Sequence, residues 1–206
     1  MTILQSRLSP EIDKYQPIEQ AGFRSGFSTT DHIQVLQQVM EKYKEFNRPL
    51  YIAFIDYAKA FDKISQNAIW EAMKKYHINQ NYVRVLKNIY EGSVSQVKLE
   101  TRGLDIPICR GVRQGDPLSP KLFIMVLQYI FDNLNWQSEG IRVNQDQLTH
   151  LRFADDIVLF AETSKRLEKM ISILSDESEK VGFKMNENKT KILTNSLTKP
   201  ITNGKP

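Results

Sequence analysis

A single cysteine, Cys109, stands in a chain of 206 residues. One thiol cannot close an internal disulfide or build a Cys-rich zinc site, and such sparing use suits a reducing compartment. Cys109 is expected to be a small, half-buried apolar residue. No uninterrupted apolar run approaches the roughly 18 residues of a membrane span, so no membrane partner is expected. The opening MTILQSRLSP lacks the charged start and apolar core of a secretory signal. The Asn188-Lys189-Thr190 sequon is therefore expected to carry no glycan, and the protein to lie inside the cell, in the nucleus or the cytoplasm. Internal repeats and low-complexity stretches are absent, and so is a strong charge of one sign. The 28 basic and 24 acidic residues leave +4, an excess that suits a phosphate-bearing partner but is shared by many proteins without one. Apolar residues at 41% and charged residues at 25% are ordinary for a globular protein able to bury a core.

Residues 1–20 are polar and interrupted by Pro10 and Pro17. After a glycine-punctuated segment, Thr29 or Thr30 can cap a helix with Ile33, Leu36, Val39, Met40 and Tyr43 on one stripe. Pro49 ends that region, and Leu50 to Ile55 is a short apolar run of buried-strand type that stops at Asp56. Ser65 opens helical patterning through Ile69, Trp70 and Met73, then Tyr82, Val83, Leu86 and Ile89, with a break near His77. Val94–Leu99 and Ile106–Val112 read as strands around a turn at Gly103. Asp116 as N-cap and Pro117 at the first helical position predict a helix striped by Leu122, Met125, Val126, Tyr129 and Ile130. Two strand-like runs, Leu151–Phe153 and Ile157–Phe160, flank Ala154-Asp155-Asp156 at hairpin spacing. A helix over Leu167, Met170, Ile171, Leu174 and Val181 follows, ending at Gly182, and Lys191–Leu193 can form a last strand. This interleaving predicts an α+β fold, an antiparallel sheet with helices on one face.

Asp56 at the end of a buried strand, and Asp155 beside Asp156 at a hairpin turn, are costly placements, because adjacent carboxylates repel and strands disfavour aspartate. Taken singly, Asp155-Asp156 reads more readily as a polar turn and Asp56 as a strand-end or capping residue, and it is the constellation that favours another role. A bound divalent cation is the simplest compensation, and Mg²⁺ accepts one or two carboxylates together with substrate phosphates. Two such ions, roughly 4 Å apart, can hold the attacking and leaving oxygens of an in-line phosphoryl transfer.

Between these carboxylates stands Arg110-Gly111-Val112-Arg113-Gln114-Gly115-Asp116-Pro117-Leu118-Ser119-Pro120. The string resembles motif B of reverse transcriptases, in the form carried by non-LTR, LINE-like retrotransposons. Other blocks follow in the family's order: Gln20–Thr29 resembles the fingers-side block, Asp56–Asp62 motif A, Phe153–Asp156 motif C, and Gly182–Thr190 motif D. The likeness runs from about residue 18 to 195. It implies a polymerase palm, a split βαβ arrangement, at 49–195, part of the fingers at 1–48, and a disordered tail at 196–206. It implies an RNA-directed DNA polymerase core using two Mg²⁺ ions, or Mn²⁺, with an RNA template, a DNA primer and deoxynucleoside triphosphates as partners. Asp56, Asp155, Asp156 and the backbone carbonyl of Tyr57 match the metal ligands. Lys189 matches the motif D lysine, a candidate acid for pyrophosphate. Phe61 matches the aromatic gate that would collide with a 2′-hydroxyl, which disfavours a ribonucleotide polymerase. Gln114 and Gly115 match the turn beside the template, Arg110 and Arg113 could contact phosphates, and Arg24 matches a fingers-side residue near nucleotide or template. Lys59 and Asp62 match motif A and could pair with each other or shape its turn.

The pattern is expected to be a piece of a longer retrotransposon polyprotein, because the family's upstream fingers segment, thumb, endonuclease domain and Cys/His knuckle have no counterpart here. The alternative reading is a catalytically inactive nucleic-acid-binding palm relic of a transposable element.

Overall fold

The computed structural model describes residues 1–98 and 102–196. Helices α1 (Thr2–Asp13) and α2 (Thr29–Glu45) precede strand β1 (Tyr51–Ile55). Helices α3 (Ala60–Lys63), α4 (Gln66–Lys75) and α5 (Gln80–Glu91) lead to the hairpin β2 (Val94–Lys98) and β3 (Arg102–Pro107). After α6 (Ser119–Phe131) come β4 (Ile141–Val143), β5 (Asp146–Leu148), β6 (His150–Phe153) and β7 (Asp156–Ala161), then α7 (Ser164–Lys180) and β8 (Lys191–Thr194). The chain forms two compact units, residues 1–16 with 59–129 and residues 17–58 with 130–206. This division by packing cuts across the division by motif, because residues 17–48 share a unit with the sheet.

In the second unit the strands run in the order β6-β7-β1-β8, and every neighbouring pair is antiparallel. The α+β expectation holds. β1 is an uninterrupted apolar run whose neighbours on both sides supply its backbone partners, so its side chains can be buried on both faces. Alternation sends Ile52, Phe54 and Asp56 to one face and Tyr51, Ala53, Ile55 and Tyr57 to the other. α7 packs on β7 and β1, and the hydrogen bond from Tyr57 to Ser178 puts it on the Tyr57 face. α2 covers one end of the opposite face, where Val39 and Tyr43 join Ile52, Leu151 and Phe160 in a buried cluster. Helices therefore touch both faces, and the part of the Asp56 face around Phe54 stays partly open.

α2 is capped by Ser28, one residue before the expected threonine cap, through a capping box in which Asp31 accepts the Ser28 N–H at 2.9 Å. Its core-facing stripe is Val39 and Tyr43, both buried, with Val35 and Leu36 partly buried beside them, while Ile33 and Met40, expected on that stripe, are exposed.

In the first unit α1 runs through Pro10, an expected break. Burial of Leu8 and Ile12, one turn apart, outweighs the helix hydrogen bond that proline forgoes. Lys121 Nζ reaches Asp13 at 2.6 Å, and Tyr15 and Tyr76 meet with ring centroids 4.7 Å apart. α6 starts at Ser119, after the expected Pro117, because Asp116 first accepts the Leu118 N–H and closes a turn. The second hairpin strand is also corrected: β3 covers Arg102–Pro107 and includes Gly103, the expected turn. Leu99, at the expected end of the first strand, lies outside the described residues. Cys109 is exposed, contrary to the half-buried role expected of it. Of the expected tail at 196–206, Ser196 donates its N–H to Thr194 Oγ1 at 3.0 Å, and the rest lies outside the described residues.

Candidate active site

The carboxylates meet through sheet register. β1 and β7 pair Tyr51 with Ala161 and so on to Ile55 with Ile157, and one further rung in the same register sets Asp56 opposite Asp156. Both then share a face, with side-chain roots roughly 5 Å apart by ordinary cross-strand spacing. Phe153 pairs with Asp156, so Ala154 and Asp155 form a two-residue turn, with Ala154 at φ +56°. Desolvation, then the charges of Asp155 and Asp56, push the Asp156 carboxyl above its ordinary range, and Lys189 pulls it back. Lys189 Nζ lies 3.8 Å from Asp56 Oδ1. Asp56 Oδ2 is buried with no hydrogen-bond partner, an acceptor that a cation would satisfy. Among the described residues no group of three or more His, Cys, Asp or Glu side chains is placed to hold a metal ion. A Mg²⁺ site does not require one, because one or two carboxylates with phosphates and water suffice. The donor set fits a hard divalent cation.

Tyr57 divides its roles between side chain and backbone. Its ring is buried, 5.3 Å from Phe183, and its hydroxyl lies 2.6 Å from Ser178 Oγ. Burial pushes the phenol's pKa upward, so it stays protonated. The backbone bridges Met185 through Asn186 N–H to the Asp56 carbonyl and Ala58 N–H to the Lys184 carbonyl. In that pattern the carbonyl of Tyr57 points away from residue 185, toward the β7 edge. Arg24, in the same unit, donates to the Pro17 carbonyl at 3.0 Å and lies 4.2 Å from the Phe27 ring centroid.

The remaining expected residues belong to the first unit. Phe61 is half-buried and stacks on Phe123, with centroids 4.1 Å apart and planes 11° from parallel. Gln114 Nε2 donates to Asp62 Oδ1 at 2.8 Å, so Asp62 ties motif A to motif B. Lys59 sits at φ +53° at the start of α3 and shapes the turn. Gly115 takes φ +80° with open space where a side chain would be, the conformation glycine permits at least cost. The guanidinium of Arg113 donates to Ser93 Oγ at 2.6 Å and the Ile89 carbonyl at 3.0 Å, which engages the end of α5. Arg110 is exposed and bridges Ser65 through its backbone.

Residues 2–201 match the reverse transcriptase (RNA-dependent DNA polymerase) family. The chain belongs to that family. Among similar proteins, the Pol polyprotein of the type-2 retrotransposable element R2DM of Drosophila melanogaster is 33% identical, over 91% of this chain and 18% of its own length. The Pol polyprotein of a type-1 element R2 from Nasonia vitripennis is 29% identical, over 81% of this chain and 16% of its own length. This reverse transcriptase chain thus spans less than a fifth of either relative. A telomerase from Candida tropicalis, solved without its C-terminal domain, superposes with a TM-score of 0.73 at 16% identity, over 96% of this chain and 41% of the other. The telomerase of Candida albicans, solved with a fragment of telomeric RNA, gives 0.69 at 19% identity, over 96% and 34%. At those identities the likeness is one of fold, the reverse transcriptase architecture.

Two residues of this reverse transcriptase chain reach the carboxylate turn without having been singled out by sequence. Gln20 is fully buried and hydrogen-bonds both backbone groups of Ala154. At Gly22 a Cβ would lie 2.2 Å from the Ala154 nitrogen, so no side chain fits. Both stand in the block that resembles the fingers-side motif, which was the one available signal. Among the described residues no helix is long and apolar enough to cross a membrane.

Proposed function

We propose that this chain is the catalytic core of an RNA-directed DNA polymerase within a retrotransposon polyprotein, extending a primer 3′ end with deoxynucleotides on an RNA template. The observation that carries the reading is the β1–β7 register, which continued by one rung sets Asp56 beside Asp156, with Asp155 adjoining and one oxygen of Asp56 buried and unsatisfied. Reverse transcriptases as a family depend on divalent metal ions. Asp56, Asp155, Asp156 and the Tyr57 carbonyl would hold two Mg²⁺ ions, which when bound supply activation of the 3′-hydroxyl and neutralisation of the leaving pyrophosphate.

The chain's own residues do the rest. The β1–β7 register supports this reading by bringing the backbones of Asp56 and Asp156 together in advance, which lowers the ordering cost at reaction. Lys189, within ion-pair reach of Asp56, carries a proton and a positive charge suited to a departing pyrophosphate. Phe61, backed by Phe123, is the rigid surface against which a 2′-hydroxyl would collide. Gln114, held to Asp62, and Gly115 face the template. Arg24 contributes on the fingers side, and Arg113 orders the loop that carries Gln114. In this assignment residues 1–48 belong to the fingers and 49–195 to the palm.

A binding-only relic is the competing reading, favoured by the absence of such a group of three or more ligands among the described residues. Primer extension on poly(rA)·oligo(dT) with Mg²⁺ or Mn²⁺, comparing the chain with Asp155→Ala, separates the two. Incorporation by the chain and loss in the variant is the expected result. Equal signal from both would reject catalysis at this site.

A further inference from the structure

Ala154 carries a price in backbone strain. It is a non-glycine residue at φ +56°, where Cβ crowds the backbone, in a turn that sets the direction of the next residue, Asp155. Such a conformation persists only where its surroundings over-determine it, and here they do. Gln20 Oε1 accepts the Ala154 N–H at 3.0 Å and its Nε2 donates to the Ala154 carbonyl at 3.2 Å. One side-chain amide thus clasps both polar groups of a single residue 134 positions away. The same Oε1 accepts the Gly22 N–H at 2.8 Å, which locks the amide's orientation. The backbone on either side is fastened too, with Ala21 N–H to the Arg152 carbonyl at 2.9 Å and Arg152 N–H to the Glu19 carbonyl at 2.8 Å. Gly22 completes the clasp, because its missing side chain lets the strand close onto Ala154.

We propose that Gln20 is a positioning residue that acts through Ala154, holding the left-handed turn so that Asp155 and Asp156 present their carboxylates to a divalent cation. The inference rests on the metal-binding reading of those aspartates. A purely structural role would be met by any buried contact between residue 20 and β6. Both hydrogen bonds instead go to the one strained residue beside Asp155.

The test uses the whole chain and Mn²⁺ as the probe, with binding followed by electron paramagnetic resonance, folding by thermal melting, and Ala154 N–H protection by hydrogen exchange. Wild type should bind Mn²⁺ and Asp155→Asn should not. If both bind equally, the metal reading fails, whatever Gln20 does. Given that difference, Gln20→Met keeps side-chain bulk and loses the hydrogen bonds to Ala154 and Gly22. It should weaken Mn²⁺ binding roughly ten- to a hundredfold, the range for groups that orient metal ligands, and release the Ala154 amide to exchange. Adding Ala154→Gly, which removes the strain at φ +56°, should restore most of the binding. Folded Gln20→Met that binds Mn²⁺ like wild type overturns the proposal, and so does failure of Ala154→Gly to restore any binding in a folded double variant. If Gln20→Met does not fold, Gln20→Glu replaces it. That variant keeps the acceptor for both N–H groups and loses the donor to the Ala154 carbonyl. Its Ala154 N–H keeps its acceptor and should stay protected while Mn²⁺ affinity falls, and a folded Gln20→Glu that binds Mn²⁺ like wild type would overturn the idea.

Discussion

Replacing Tyr57 by phenylalanine separates the two jobs assigned to that residue. The substitution removes one oxygen that sits 2.6 Å from Ser178 Oγ, at a position where both residues are buried. The ring and its contact with Phe183 remain, so no cavity term beyond one atom arises. Ser178 is left with a buried hydroxyl lacking that partner, a penalty of about 1–3 kcal/mol. Its hydroxyl can turn toward the carbonyl one helical turn back, which favours the lower part, about 1–2 kcal/mol. For a chain of this size each kcal/mol moves Tm by about 2–4 °C, so the expected fall is roughly 2–8 °C by calorimetry or circular dichroism. Ser178→Ala alone should cost a similar amount by orphaning the phenol. The double variant, with both partners apolar, should lose much less than the sum, a coupling of at least about 0.5 kcal/mol. The raised phenol pKa keeps that hydroxyl protonated through neutral and mildly alkaline pH, so the coupling should be constant there. Mn²⁺ affinity should not change, because phenylalanine offers the same backbone carbonyl toward β7. Additive variants would refute the hydrogen-bond account, and a tenfold loss of Mn²⁺ affinity would put the phenol itself at the metal site.

Asp156→Asn should raise the melting temperature in the absence of metal at neutral pH and abolish stabilisation by Mg²⁺. The sign follows from the raised carboxyl pKa: the folded state holds that proton more tightly than the unfolded chain, so its stabilising contribution is present at acid pH and fades as pH climbs through the carboxylate range. Melting against pH should therefore show a shallower decline in Asp156→Asn, and an unchanged slope would dismiss the repulsion. Saturating Mg²⁺ should stabilise the unaltered chain, by about 2.7 kcal/mol at a hundredfold excess over Kd, and a flat titration would contradict the metal site. Phe61→Ala should cost about 1–3 kcal/mol for a half-buried stacked ring. It should also relax discrimination against ribonucleotides in any active form, and unchanged sugar preference would remove the gate. Arg113→Ala should destabilise by about 1 kcal/mol while leaving the salt dependence of nucleic-acid binding intact, whereas a slope reduced by about one unit would mark a phosphate contact.

What could be read from sequence was what burial writes into local pattern. β1 was legible because an apolar run between Pro49 and Asp56 has few destinations other than a central strand. The β6–β7 hairpin was legible because two such runs flank a two-residue turn, and α7 because its apolar residues recur at helical spacing. β3 was misplaced for the converse reason. Leu104 and Ile106 are largely exposed, so that hairpin carries no inside-outside alternation to fix its register. Pro10 misled because its local rule lost to the burial of Leu8 and Ile12, and Asp116 because its side chain served a turn before the helix began. The candidate site divides along the same line. Once β1 and β7 are antiparallel neighbours, a single register places Asp56 beside Asp156, and a run of apolar residues ending in aspartate is enough to suggest it. Gln20 has no such signature. Its partner lies 134 residues away, and the need for it arises from one backbone angle at Ala154 that an alanine codon does not announce. In the proposed metal reading, ligand identity is thus a local property of this chain, and ligand orientation a long-range one. A substitution at Gln20 or Gly22 is expected to disturb the aspartates while leaving every proposed metal-binding residue in place.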